Sequence, residues 1–135
     1  MQPVLNALWS KLQTATGVGQ FMTILGSRVY LDSAPGDAAL PLCVYGAETT
    51  TFDQCMDGTI THVLRVTFTI YDDRDTTLTA QSAAAALRGL LEGAELTAAR
   101  YDRVVCIHRG RGAPVFDGDI WSIVETYDLR GQFTP

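Results

Sequence analysis

Apolar positions follow two periodicities along this chain, and the switches between them divide it into elements. Val4, Leu5, Leu8, Trp9 and Leu12 recur at helical spacing, with Pro3 in the first turn, where a missing N–H leaves no bond unmade. Gly17 and Gly19 end this helix. A short apolar piece (Phe21, Met22, Ile24, Leu25) leads to Gly26 and a strand-like run, Arg28-Val29-Tyr30-Leu31. Ala34-Pro35-Gly36-Asp37 and Leu40-Pro41 read as turns. Leu42, Cys43, Val44 and Tyr45 then form a strand that continues into Thr49-Thr50-Thr51. Asp57-Gly58 signals a hairpin. Beyond it lies the clearest strand: Leu64, Val66, Phe68 and Ile70 alternate with Arg65, Thr67, Thr69 and Tyr71, so each set takes one face.

Asp72-Asp73-Arg74-Asp75 breaks that strand, and Asp75 is placed as the N-cap of a second helix. Leu78, Ala83, Ala84, Leu87, Leu90 and Leu91 form the apolar face of this helix and Gly93 stops it. Its alanines permit close approach to a sheet. Val104, Val105, Cys106 and Ile107 read as the next strand, Asp117-Gly118 as a turn, and residues 120–129 alternate through Trp121, Ile123, Tyr127 and Leu129. The predicted order is α-β-β-β-α-β-β. Hairpins on both sides of the second helix imply a single α+β domain over residues 1–135, with a largely antiparallel sheet of four to five strands and two helices on one face.

The 135 residues, 47% hydrophobic and 19% charged, suffice for one core and do not suit a disordered chain. No apolar run approaches the roughly 18–20 residues of a membrane span. The first residues lack the basic flank of a secretory signal, so none is expected. Cys43, Cys55 and Cys106 are odd in number and widely spaced, which suits a reducing cytoplasm. Fifteen acidic against ten basic residues give a net charge of −5, and the densest basic group, Arg100, Arg103, Arg109 and Arg111, is small. Gripping nucleic-acid phosphates is therefore not expected to be the main role.

Catalytic patterns are missing from the sequence. Cys106 and His108 fall on one strand face, as a Cys–His dyad or a metal pair would, but a zinc site needs further ligands. The run at Asp72 lacks the spaced ligands of a calcium loop, and Gly110-Arg111-Gly112-Ala113 lacks the phosphate-cradling pattern. No Gly-x-Ser-x-Gly elbow occurs. The expectation is a non-enzyme with no catalytic residue, no metal and no cofactor. Two loops instead place apolar residues among polar ones. The interface candidates are Phe52, Asp53, Met56 and Asp57 in the first, and Pro114, Val115, Phe116 and Asp117 in the second, with Arg109 and Arg111 beside it. A loop anchored on its own core is the other reading of the same pattern.

Residues 26–45 carry a further signal. Gly26-Ser27-Arg28-Val29-Tyr30, then Ala34-Pro35, then Leu40-Pro41-Leu42-Cys43-Val44-Tyr45 resembles the pattern of phage tail-completion, or tail-terminator, proteins of long-tailed phages and phage-like gene transfer particles. The later strand and the run Ala84-Ala85-Ala86-Leu87-Arg88-Gly89-Leu90-Leu91 follow in the family's order. Residues 53–57 match no fixed family pattern. The resemblance implies a structural virion protein: a hexameric ring on the head-proximal end of the tail tube that stops tube polymerisation and joins tail to neck. Its implied partners are further copies of itself, the tail tube protein and a neck or stopper protein. The implied place of assembly is the host bacterial cytoplasm, and no membrane is involved. DNA would pass through the ring without specific binding. An acidic or neutral lumen suits that passage, so some of Asp53, Asp57, Asp72, Asp73, Asp75 and Glu125 are expected to face it, with Arg109 and Arg111 at subunit contacts. Alternatives are another head–tail joining protein (a stopper, or an adaptor, which would be more helical) and a small enzyme using Cys106 and His108. A nucleic-acid-binding domain would need aromatic and basic residues alternating on a strand face, which Arg65, Thr67, Thr69 and Tyr71 do not supply.

Overall fold

The computed structural model describes residues 2–54, 56–73 and 77–134, leaving the side chains of Thr50, Thr51, Phe52 and Asp53 outside the description. In chain order the elements are α1 (Gln2–Gln13), α2 (Phe21–Ile24), β1 (Val29–Leu31), β2 (Leu42–Gln54), β3 (Ile60–Asp72), α3 (Leu78–Leu91), β4 (Glu95–Leu96), β5 (Tyr101–Arg111), β6 (Val115–Asp117) and β7 (Ile120–Phe133). The strands form one sheet in the order β1-β2-β3-β7-β5-β4, with β6 paired to β7. All pairings are antiparallel except that of β1 with β2.

The α+β class and the largely antiparallel sheet stand, but the strand count and order differ from expectation. Among the described residues seven strands replace the expected four to five, because β4 and β6 join the five that the pattern predicts. β4 is two residues long, too short to show any periodicity. β6 is exposed along its length, so it carries no inward alternation to read. It resumes the line of β5 along β7 after the break at Gly112-Ala113-Pro114. The apolar piece at Phe21 is one turn of helix.

Both longer helices cover the same sheet face. Leu64, Val66, Phe68 and Ile70 of β3 are buried there, while Arg65, Thr67, Thr69 and Tyr71 lie partly open on the other side. Against that face α1 buries Val4, Leu8 and Leu12, and α3 buries Ala80, Ala83, Ala84, Leu87 and Leu91. The small alanine side chains let the α3 backbone approach the sheet. Aromatic rings tie the layers together: Trp9 stacks on Tyr45 at 6.4 Å and Tyr45 on Phe68 at 5.4 Å. Phe21 and Tyr127 meet Phe68 edge-on at 6.5 and 5.7 Å. Thr77 precedes α3 without a side-chain cap bond, and Asp75 lies outside the described residues.

The segment 26–45 is a closed unit. Gly26 takes φ +58 in the turn before β1, a conformation that favours glycine. Arg28 Nε donates to the Pro41 carbonyl at 2.8 Å, while the Cys43 N–H donates to the Arg28 carbonyl at 2.9 Å. The Asp32 N–H then donates to the Tyr45 carbonyl at 2.8 Å. These bonds hold β1 parallel to β2 across the turn-rich connection, so the Gly, Arg and Pro of that sequence pattern each have a structural task.

Candidate functional site

The interface candidates divide between two hairpin tips. At the first, Gln54 pairs with Ile60, Gly58 takes φ +88, and Asp57 Oδ1 accepts the Thr59 N–H at 2.9 Å. That bond holds the Asp57 carboxyl below the usual carboxylate range. Met56 is fully exposed, and Phe52 and Asp53 are placed by backbone register opposite His62 and Thr61. At the second tip Asp117 pairs with Ile120 and Gly118 takes φ +65. Val115, Phe116 and Ile120 are 57%, 54% and 39% exposed, and Pro114 and Asp117 are exposed as well. Phe116 packs on Trp121 at 4.8 Å and takes no part in the core. Anchoring back onto the domain's own core is thereby excluded for Phe116. β3 pairs Ile60 with Phe133 at one end and Asp72 with Trp121 at the other, so the tips lie at opposite ends of the sheet. At about 3.3 Å per residue the separation is about 40 Å.

Several charged side chains between the tips are paired within the subunit. Strict alternation along β5 would put His108 and Gly110 on one face, but a bulge between His108 and Gly110 puts Arg111 with His108 instead. Both reach Glu125, which is fully buried: His108 Nε2 lies 2.6 Å from Glu125 Oε2, and Arg111 Nε donates to Oε1. On the bare face Asp128 accepts from Arg65 Nε at 3.0 Å and lies 3.4 Å from Arg109 Nε. Arg103 pairs with Glu95 at 2.6 Å.

This arrangement corrects the expected lumen residues. Asp72 and Glu125 are buried inside the subunit and face no channel, whereas Asp57 and Asp73 are exposed. Asp75 lies outside the described residues. Arg109 and Arg111 spend part of their charge on Asp128 and Glu125, though both remain open to solvent. Asp72 and Glu125 are thus the two candidates that the subunit itself buries, and for Glu125 the burial was legible. Its signal was its register, two residues from Ile123 and from Tyr127 on the inward side of β7.

Cys106 and His108 do share a face, but the buried thiol is shifted away from a reactive thiolate. Burial holds the Cys106 thiol up at about 11, and raises that of Cys43 further. A reactive thiolate needs the opposite shift. An ionised thiol is excluded from the folded core, so the contribution of Cys106 to stability is intact below its ordinary pKa of 9.0. It is expected to be lost as pH rises from there towards about 11. Urea unfolding across that range should show wild type weakening more steeply than Cys106→Ala. Parallel curves would overturn the assignment. Among the described residues no group of three or more His, Cys, Asp or Glu is placed to hold a metal ion. Among them, too, no helix is long and apolar enough to cross a membrane.

No curated protein matches the sequence. A chain from a solved structure described as the virion of a native gene transfer agent particle superposes with a TM-score of 0.69 at 20% identity, over 94% of this chain and 92% of that one. At that identity the likeness establishes a common fold. Residues 8–127, from within α1 to Tyr127 of β7, match the family described as tail completion protein gp17. The match takes in the Arg28–Pro41 unit, the alternating strand and the alanine-faced helix, and the chain belongs to the tail completion protein gp17 family, a family of phage-tail structural proteins.

Proposed function

We propose that this protein is the subunit of a hexameric ring that closes the head-proximal end of a tail tube, stops tube polymerisation and presents a surface to the neck. The observation that carries the reading is the two-ended build of a family member: exposed apolar residues sit on hairpin tips at opposite ends of one rigid sheet. One end serves the tail tube protein, the other a neck or stopper protein. The protein works by position and performs no catalysis. DNA passes without specific binding, because the chain carries −5 overall and Arg65, Arg103 and Arg109 already face carboxylates. Assembly takes place in the host cytoplasm and the product is a part of the virion or gene transfer particle.

The test is native mass measurement of the purified protein mixed with tube protein. Sixfold association and an end to tube growth are expected. A stable dimer under all conditions, or tubes that continue to lengthen, overturns the reading. Tubes that lengthen while the protein still binds neck protein would point to a stopper. Phe116→Ala is expected to change unfolding free energy by no more than about 0.5 kcal/mol, since its ring is half-exposed, yet to impair tail completion. Thermal unfolding paired with a completion assay checks both halves.

A further inference from the structure

Each lateral edge of the sheet is covered along only part of its length. β2 pairs with β3 throughout, but β1 reaches only Cys43, Val44 and Tyr45. The Cys43 N–H and the Tyr45 carbonyl point outward to the β1 side. Alternation therefore puts the N–H groups of Ala47 and Thr49 on the same outer edge, where both residues are exposed. On the far side β4 pairs only with Val104 and Val105, and Gly93 and Ala94 add bonds to Cys106. Among the described residues no strand lies outside β5 from Ile107 onward, nor outside β6. Open edges of this length are ordinarily blunted or hidden, because they pair with other chains.

The two uncovered stretches are staggered. Through β3, residues 46–54 of β2 lie level with residues 126–133 of β7, whereas residues 107–117 lie level with residues 120–128. Their centres differ by five to six residues, or about 18 Å at 3.3 Å per residue. Four strands (β2, β3, β7 and the β5–β6 line) span the subunit between these edges, about 19 Å at 4.8 Å spacing. Matching the edges from copy to copy then inclines the strands by about 40°, within the roughly 35–45° of closed barrels. Direction fits too. β2 and β7 both run antiparallel to β3, and β5 runs antiparallel to β7, so β5 meets the next β2 antiparallel. Charge fits as well: residues 46–58 hold Glu48, Asp53 and Asp57 and no basic residue, and the stagger sets Arg109 and Arg111 against residues 51–54.

We propose that consecutive copies of this chain join edge to edge, the open stretch of β2 in one copy pairing with the β5–β6 edge of the next. The sheets continue around the ring as one tilted wall, and the short strands β1 and β4 set the register by blocking every other alignment. This deepens the ring reading above and rests on it.

Amide hydrogen exchange on the protein assembled with tube protein is the experiment, with native mass reporting whether a ring is present. The outward-pointing amides of Ala47, Thr49 and, by alternation from Cys106, His108 should exchange at least about 100-fold more slowly in the ring than in the free subunit. Thr49→Pro removes an outward N–H from an edge strand, a place that tolerates proline. It should melt like wild type and fail to form the ring. A ring whose edge amides exchange at free-subunit rates, or a Thr49→Pro chain that assembles normally, overturns edge pairing and leaves the ring reading standing. Absence of any ring overturns both. If Thr49→Pro does not fold, the exchange pattern of the wild-type ring decides.

Discussion

Replacing Phe68 with alanine is expected to lower the unfolding free energy by about 3–5 kcal/mol. Phe68 is fully buried at the centre of β3 and touches rings from three directions. Tyr45 stacks on it at 5.4 Å, and Phe21 and Tyr127 present their edges at 6.5 and 5.7 Å. Truncation removes the transfer energy of the ring and opens a cavity that these neighbours, themselves fixed by α1, α2 and β7, cannot collapse to fill. Urea or guanidinium unfolding measures the loss. Thr67→Ala, one residue away on the bare face, is the control and should stay within about 0.5 kcal/mol. A loss below about 1 kcal/mol for Phe68→Ala would mean that the ring cluster does not carry the core.

The second large effect is expected at Arg111, a surface residue by its exposure. Arg111→Met leaves Glu125 fully buried, with His108 still beside it. Breaking a buried pair from one side costs roughly 3–5 kcal/mol, because a desolvated carboxylate loses its counter-charge. The lower end applies here, since Arg111 is 36% exposed and water reaches it in the intact pair. Arg111→Met with Glu125→Leu should recover part of that loss, because removing both charges leaves none unpaired. Unfolding of the two single variants and the double closes the cycle. If Arg111→Met proves neutral, the pair does not hold the base of the second hairpin.

Residue type alone would rank Arg111 and Phe116 the other way round. Phe116 is an aromatic residue whose removal is expected to leave the fold untouched, and Arg111 is a charged residue whose removal is not. The difference lies in what each side chain touches: Phe116 meets Trp121 near the tip, whereas Arg111 meets a carboxylate inside the domain.

Much of the fold was legible in the residues. The alternation of β3, the alanine face of α3 and the glycine turns at Gly58 and Gly118 were read correctly, because each is a local matter of period or backbone freedom. The run from Gly26 to Tyr45 likewise named its family, since Arg28, Pro41 and the two strands close one unit within twenty residues. What depended on distant neighbours was not legible. β4 and β6 exist as strands because β5 and β7 lie beside them, and neither carries enough inward residues to announce itself. Glu125 looks like a surface charge until the bulge in β5 delivers Arg111 to it from fourteen positions away. The placing of the two hairpin tips at opposite ends, and the stagger of the open edges, follow from register between strands far apart in sequence. Periodicity records which side of an element meets the core, and register records which element lies alongside. The first is a property of neighbouring residues. The second exists only once the chain has closed on itself.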